Sequence, residues 1–575
     1  MGQTSSVIVP KGRSLTPLSH PGKASIGTRF GVLPFRDVLF LILVIAVFAS
    51  VGFLVFNAGR DTTFYWDEWD FIQGSRRGGL DVLLTPHNGH LSIVPILIYR
   101  ALFASVGLRD YAAYRITLIA IHLACCLLFF LLARRAVGRT LALLMTFLLL
   151  LVGNAWQDLL TPFQMSFLIS LATGLLAFLL IDRPSTLGKV VAAASLVVSI
   201  GSSGVGIPMV AAAAVLILAR PDRWSTIWIV MPAASLYGLW YIADGVPQAK
   251  LSNVPHISTY LIRSAAGAMG GMLGVGTDWG LILVPIAVAF LSLRMCRMSI
   301  SPSMAASLTV AGTFWLLIAM ARASLGDADA NRYIYPGALF ILLIAKEAFA
   351  RMPTPPLLLA ALGTMTAAAV AANVLALNAG VAQLRDSAAT VRAELAAVEI
   401  ARHVVKSDFQ PDSLLMPQVS AGSYLLAVTD LGSPAYSVAT IVHSPETVRA
   451  STDHVLERAE LLELRGVPSA PLGPVPSPDD LLPLERQGGS CLLVSVPSSG
   501  ISFTSPAGGM TFQSQGDTAV HVQLRRFAGS YHAPAVPVDG DGPIFALKLG
   551  ADDLAIPWHV KVLGSGPVRV CGLSG

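Results

Sequence analysis

The chain has 575 residues, of which 54% are hydrophobic and 13% charged, and its mean hydropathy is +0.66. Soluble domains carry about 25% charged residues, so this composition excludes an ordinary soluble protein and indicates a polytopic membrane protein with a soluble part. The net charge of +5 does not indicate nucleic-acid binding, because lysine and arginine lie mainly in short turns and form no basic stripe with interleaved aromatic residues.

The N-terminal segment is predicted to be a disordered cytoplasmic tail. Residues 1–36 are interspersed with Pro, Gly and Ser and carry basic but no acidic side chains. The apolar run from Val38 to Phe56 that follows is longer than the apolar part of a typical signal peptide. We therefore expect an uncleaved membrane anchor.

The apolar runs predict a helical membrane domain over residues 37–378. A spanning helix needs about 20 largely apolar residues. On that basis we expect about eleven spans, at 38–56, 113–133, 140–156, 165–181, 187–200, 205–219, 225–243, 279–296, 303–321, 333–350 and 356–377.

Positive charge in the short turns sets the predicted orientation. With the tail inside, each internal turn is basic, as in the turn with Arg134, Arg135 and Arg139. A span at Leu91–Val106 would invert all later turns, so this segment is interpreted as a juxtamembrane or re-entrant helix. It lies in a long first external loop, residues 57–112.

The region after the last span is predicted to lie outside the cytoplasm. Residues 379–408 form an amphipathic connector with apolar residues at helical spacing. Residues 409–575 contain short β-like runs separated by Pro and Gly, which predict a β-rich, sandwich-like periplasmic domain. Cys491 and Cys571 lie in this domain, where an oxidising compartment would allow a disulfide.

An acidic cluster follows the first span in the sequence Thr63-Phe-Tyr-Trp-Asp-Glu-Trp-Asp-Phe71. Charged groups at a membrane boundary belong in a water-filled cavity or against a partner. Asp67 and Glu68 are therefore candidate catalytic residues, and Asp70 could share their helical face. The structural alternative is that these acids cap and solvate the start of a surface helix.

The other external loops supply further polar candidates. His87 and His90 could hold a divalent cation or a substrate phosphate, although such a pair is also a common loop contact. Asp158 and Gln164 line a cavity or cap a helix. These residues do not identify a cofactor, and a divalent cation is the one candidate.

The arrangement resembles the GT-C superfamily of integral membrane glycosyltransferases. The resemblance lies in an acidic motif after the first helix, a long first external loop, a multi-helix body and an external β domain. The segment Asn331-Arg332-Tyr333-Ile334-Tyr335-Pro336 is also similar to segments of related bacterial membrane proteins. The likeness implies a GT-C-like fold in a bacterial inner membrane.

By this resemblance, the donor is a sugar on a polyprenyl phosphate, and the acceptor is a lipid, glycan or protein of the cell envelope. Asp67 would act as the general base of an inverting transfer, with Glu68 orienting it. Arg332 is the leading candidate to bind the leaving phosphate, next to Tyr333, with Arg263 and Arg322 behind it. Trp66 and Trp69 would stack on a sugar, unless they are ordinary interfacial tryptophans.

Two other classes of function remain open. A transporter or flippase for a lipid-linked glycan would use the same cavity, with the acids as proton or cation sites. A non-catalytic envelope polysaccharide assembly protein would need only an anchor, which eleven spans exceed. A sugar-nucleotide donor is disfavoured, because the glycines between Gly267 and Gly276 follow no strand and form no nucleotide motif.

Overall fold

The computed structural model describes residues 2, 35–76, 79, 81–297, 299–479, 485–487, 490–515, 520–534, 544–550, 552 and 554–574. The predicted tail, residues 1–36, lies almost entirely outside these residues. The chain divides into two compact units, residues 1–49 and residues 50–575. All packing and cavities discussed below belong to the second unit.

The chain is a multi-pass membrane protein with an all-helical membrane part. Six described helices are long and apolar enough to cross a membrane, or seven if a pair bent by 50° counts as one span. The α-helices described between residues 35 and 243 are α1 (Phe35–Ala58), α2 (Glu68–Gly74), α3 (Asp81–Leu84), α4 (Ile93–Val106), α5 (Ala112–Leu150), α6 (Trp156–Leu160), α7 (Met165–Leu180), α8 (Thr186–Ile200), α9 (Gly206–Leu218), α10 (Arg223–Thr226) and α11 (Met231–Ala243).

The helices that complete the membrane part are α12 (Ile257–Leu273), α13 (Gly276–Arg297), α14 (Pro302–Arg322), α15 (Asn331–Ala348) and α16 (Pro356–Ile400). The predicted count of eleven spans is not confirmed. Two predicted spans fall on α8 and α9, which have 15 and 13 residues. At about 1.5 Å per residue both are shorter than the roughly 30 Å hydrocarbon core. Two others share α5, which is interrupted at Gly138 (φ 78°).

Helix α16 shows that the predicted boundary at residue 378 is not a break. The last predicted span and the first part of the connector form one continuous helix of 45 residues, about 68 Å long at 1.5 Å per residue. The apolar residues of the connector face inward as expected, since Val381, Leu384, Val391 and Leu395 are buried.

The predicted change to β structure at residue 409 was placed too early. Three helices come first: α17 (Ala421–Leu431), α18 (Val438–Val442) and α19 (Glu446–Leu456). The Ser420 hydroxyl accepts from the Ser423 N–H, and the Ser423 hydroxyl lies where it accepts from the Ser420 N–H. This capping box starts α17 and is a local helix signal within a region of β-like runs.

The β domain begins at Leu462 and contains two antiparallel sheets, as a sandwich requires. The larger has the order β1-β8-β6-β10-β4-β3 and the smaller β2-β5-β9-β7. The strands are β1 (Leu462–Val467), β2 (Ser477–Pro478), β3 (Glu485–Gln487), β4 (Cys491–Val496), β5 (Ile501–Thr504), β6 (Gly509–Ser514), β7 (His521–Arg525), β8 (Ile544–Leu549), β9 (His559–Leu563) and β10 (Gly566–Gly572).

A disulfide joins Cys491 and Cys571, which face each other across β4 and β10. Replacing both with Ser should destabilise the β domain by roughly 2–5 kcal/mol, because the link constrains a long loop in the unfolded chain. Thermal unfolding of the full chain measures this loss. Cys296→Ser, which removes an exposed free cysteine, is the matched control. An unchanged melting temperature in the double variant would contradict the prediction.

Candidate active site

Asp67 lies at the start of α2, directly after a backbone turn. Trp66 has a left-handed conformation (φ 46°), which is uncommon for a residue other than glycine. The turn leaves the Trp66 side chain 43% exposed and lining the cavity, while Trp69, one helical turn later, is buried. Strained backbone of this kind often occurs at functional sites.

Glu68 anchors this turn from within. Its carboxylate is fully buried and accepts hydrogen bonds from the Tyr65 N–H (2.9 Å), the Tyr99 hydroxyl (2.5 Å) and the Tyr111 hydroxyl (2.7 Å). Burial raises the pKa of Glu68 to about 7, and the three donors only partly offset that rise. Glu68 is thus bound within the protein and is not in the cavity lining.

A short hairpin places two histidines beside Asp67. The N–H groups of His87 and His90 each donate to the other residue's carbonyl, at 3.0 and 2.9 Å. The turn residues Asn88 and Gly89 both have positive φ, as an Asn-Gly type I′ turn requires. The Asn88 side-chain amide donates to Asp67 Oδ2 at 3.1 Å.

Both histidines are held in the neutral form by their surroundings. Burial lowers the pKa of His87, and burial with the nearby Arg322 lowers that of His90 to about 4. Neutral imidazoles can accept or donate a hydrogen bond but add no charge near pH 7.

Among the described residues, no group of three or more His, Cys, Asp or Glu side chains is arranged to hold a metal ion.

A cavity of about 700 Å³ brings six of the ten predicted site residues together. They come from the acidic turn, the hairpin, the turn before α7 and the start of α15: Asp67, His87, His90, Gln164, Arg332 and Tyr333. The sequence separates the first and last of these by more than half the membrane domain. Only the packing of the helices makes them neighbours.

The cavity has a cationic region formed by Arg322 and Arg332. Arg322 ends α14, and Arg332 lies in the first turn of α15 with its guanidinium 5.0 Å from the Tyr333 ring centre. The free N–H groups at the start of α15 add partial positive charge. Arg332 at the N-terminus of α15 and Arg322 in the same cavity lining form an environment suited to an anion such as phosphate.

The rest of the cavity wall is largely apolar. Side chains of α9, α11 and α14 contribute, among them Ile207, Tyr237, Phe314 and Leu317. The combination of a charged region and an apolar wall fits an amphipathic ligand. The aromatic and aliphatic part of this wall was not predicted, because such residues in apolar helices give no signal that distinguishes lining from packing.

Four predicted site residues are absent from this lining. Glu68 and Trp69 are buried behind the acidic turn, and Trp69 packs against Phe64 and Tyr424. Asp158 is fully buried, and neither of its carboxylate oxygens has a hydrogen-bond partner among the described residues. Arg263 is exposed on α12.

A second cavity, of about 520 Å³, lies beside the hairpin. It is lined by α2, α3 and α4, and shares His87 and Asn88 with the first cavity. Its polar lining includes Asp70, Gln73 and Thr85. The hairpin, whose Asn88 is bonded to Asp67, therefore lines two cavities of different character.

The raised pKa of Glu68 predicts a pH-dependent stability. A carboxyl whose pKa is about 7 in the folded state stabilises the protein fully below its unfolded value of 4.5. That contribution is lost as the pH rises through 7. We expect the melting temperature to fall between pH 5 and pH 8, and Glu68→Gln to flatten that fall.

The matched control is Glu463→Gln, since Glu463 forms only an exposed ion pair with Arg465. This variant should keep the pH dependence of the unsubstituted protein. Thermal unfolding at a series of pH values provides the measurement. An unchanged slope in Glu68→Gln would mean that Glu68 does not titrate in this range.

No protein-family model and no curated protein matches this sequence. Two solved structures that are similar to it are both of ArnT from Cupriavidus metallidurans, a GT-C glycosyltransferase. The structure bound to undecaprenyl phosphate has 13% identity and a TM-score of 0.42, covering 68% of this chain and 88% of that one. The apo structure has 13% identity and a TM-score of 0.45, covering 75% and 93%. These values describe a distant likeness that says nothing by itself about activity.

Proposed function

We propose that the protein is a membrane glycosyltransferase that moves a sugar from a polyprenyl-phosphate donor to a cell-envelope acceptor. The observation that carries this proposal is one cavity that combines an acid, two guanidinium groups and an apolar wall. An amphipathic phosphate ester with a long hydrocarbon tail matches each of these features. The site would face the extracytoplasmic side of a bacterial inner membrane.

In this proposal, Arg322 and Arg332 bind the donor phosphate. Guanidinium groups pair with phosphate oxygens through two parallel hydrogen bonds, and they stabilise the charge that develops on the leaving group. The hydrocarbon chain would lie along the apolar wall of α9, α11 and α14. Tyr333 and Gln164 line the same cavity and would contact the sugar or the phosphate.

Asp67 is proposed as the general base. An acceptor hydroxyl is a poor nucleophile until a base removes its proton. Asp67 would take that proton while the acceptor oxygen bonds to the anomeric carbon. The bond from that carbon to the phosphate oxygen breaks, and polyprenyl phosphate leaves. A single displacement of this kind inverts the anomeric centre.

The second cavity is the proposed place of the acceptor. It shares His87 and Asn88 with the first cavity, and the Asn88 amide donates to the Asp67 carboxylate. Its mixture of aromatic, amide and hydroxyl side chains suits a hydroxyl-bearing glycan. An acceptor there and a donor in the first cavity would meet at Asp67, as direct transfer requires.

Asp67→Asn should lower the rate of transfer by about 10²–10⁴-fold, the range of general base catalysis. The amide keeps the size of the side chain and the partner Asn88 but cannot take a proton. The measurement is release of polyprenyl phosphate by the purified protein in lipid nanodiscs, with bacterial envelope lipid and polysaccharide fractions as acceptors. Asp244→Asn, an exposed acid outside both cavities, should retain full activity.

The assay also separates an enzyme from a flippase. A flippase would move the intact donor across the bilayer without releasing its carrier. Full turnover by Asp67→Asn would refute its role as base, and intact donor in all reactions of the unsubstituted protein would refute the activity.

Arg332→Gln should raise the KM for the donor by about 10- to 100-fold, because a charge-assisted hydrogen bond contributes roughly 1.5–3 kcal/mol. Steady-state kinetics at varied donor concentration provides the values. Arg297→Gln removes an exposed guanidinium at the end of α13 and serves as control. An unchanged KM in Arg332→Gln would place the phosphate elsewhere.

A further inference from the structure

The short helix α2, which begins next to Asp67, needs support from the elements that pack against it. It has seven residues and is too short to be stable by itself. Its inner contact is Glu68, bonded to Tyr99 of α4 and to Tyr111 just before α5. Its outer contact is α17, which the sequence assigned to the β domain.

The contacts between α2 and α17 lie on one stripe. The Trp69 ring meets the Tyr424 ring edge-on, with centroids 6.1 Å apart. The Gln73 amide donates to the Gln418 carbonyl, and Arg76 forms a two-pronged ion pair with Asp430. Positions 69, 73 and 76 follow the spacing of one helix face. Three side chains of residues 69–76 thus contact α17 or the residues just before it.

The end of α17 contacts the turn between α4 and α5. The Leu108 N–H donates to the Leu431 carbonyl at 2.9 Å. Gly107 is left-handed there (φ 62°), and a Cβ on it would lie 2.1 Å from the Leu431 oxygen. A close approach of this kind admits only glycine. Helix α17 therefore joins the same two elements that Glu68 joins from within.

Helix α17 is itself fixed to the long helix α16. The Tyr424 hydroxyl donates to Glu399 Oε1 at 2.6 Å, and the Ser433 hydroxyl donates to the same oxygen at 2.5 Å. Glu399 lies near the end of α16, which continues from a membrane span without interruption. A continuous series of contacts thus runs from that span through Glu399 and Tyr424 to Trp69. Trp69 lies in α2, the helix that begins directly after Asp67.

We propose that α17 is a positioning element of the catalytic site, and that Tyr424 and Trp69 are positioning residues that hold Asp67 through α2. This inference rests on the proposed function. Trp69, predicted to stack on a sugar, acts here by packing instead. Loss of the Tyr424 ring would free α2 on its outer side, and a displacement of about 1 Å at a reacting group can lower the rate by about 10²-fold.

The test uses the full-length protein in nanodiscs, with Tyr424→Ala and Tyr424→Phe. We expect Tyr424→Ala to lower kcat by about 10²-fold while the KM for the donor stays within twofold, because both arginines remain in place. Tyr424→Phe keeps the ring and loses only the bond to Glu399, so its kcat should be intermediate. Tyr531→Ala removes a tyrosine ring from the β domain, where it lies against Arg525 and Lys561, and should leave kcat unchanged.

Hydrogen exchange gives a readout that does not depend on activity. In Tyr424→Ala, the amides of residues 65–76 should exchange faster, while those of β4 and β10 should not change. Faster exchange throughout the chain, or an unchanged kcat, would overturn the proposal. If the unsubstituted protein released no carrier, the proposed function would fail, and exchange in residues 65–76 would still decide whether α17 holds α2.

A charge reversal provides a second variant that preserves the tyrosine. Arg76→Asp alone should lower kcat and raise exchange in α2, and adding Asp430→Arg should restore both. The exposed pair of Glu463 and Arg465 offers the matched control, since its reversal should affect neither measurement. Failure of the double variant to recover, with both single variants folded, would overturn the role of this ion pair.

Discussion

The candidate site depends on one buried carboxylate. Glu68 has no exposed surface, and a buried charge is costly unless donors surround it. Three donors from three parts of the segment between α1 and α5 converge on it. This requirement fixes α2 against α4 and the start of α5. Successive residues of a helix point about 100° apart, so anchoring Glu68 inward leaves Asp67 at the cavity.

The cavity is chemically asymmetric, and the asymmetry follows from where its walls originate. The apolar wall comes from helices with membrane-compatible composition, whereas the charged groups come from helix ends and external turns. Arg322 ends one helix and Arg332 begins another, so two guanidinium groups reach the cavity without lying mid-span. Neutral, buried His87 and His90 leave those arginines as the source of positive charge beside Asp67.

Helices α17 to α19 connect the membrane part to the β domain through non-covalent contacts as well as through the backbone. Helix α17 contacts the external loop, whereas α19 is tied to the β domain. There the Asp453 carboxylate accepts from the backbone N–H groups of Arg526, Phe527 and Ala528. Glu446 accepts from Gly529 and Ser530, which lowers its pKa to about 2. The β domain is thereby linked through this helical segment to the elements around Asp67.

The local composition of the sequence determined which segments of this protein form membrane helices and which residues are candidates for the site. Long apolar runs predicted the membrane helices, and the apolar spacing of residues 381–398 predicted the buried face of α16. The acidic cluster, the pair His87 and His90, and Arg332 were recognisable as candidates, because charged or polar residues beside apolar runs need a reason to be there. Composition did not determine the number of spans, since hydropathy measures composition, whereas crossing a bilayer also depends on length.

Only the tertiary structure decided which candidates meet. Asp67 and Glu68 are adjacent carboxylic acids, yet hydrogen bonds from three tyrosines hold Glu68 inside the protein and leave Asp67 at the cavity. Arg263 and Arg332 look alike as external arginines, but helix packing exposes the first and directs the second to the site. The support of α2 by α17 joins residues more than 340 positions apart. Side-chain contacts of this range depend on how the helices pack, and no local pattern in a single sequence encodes that packing.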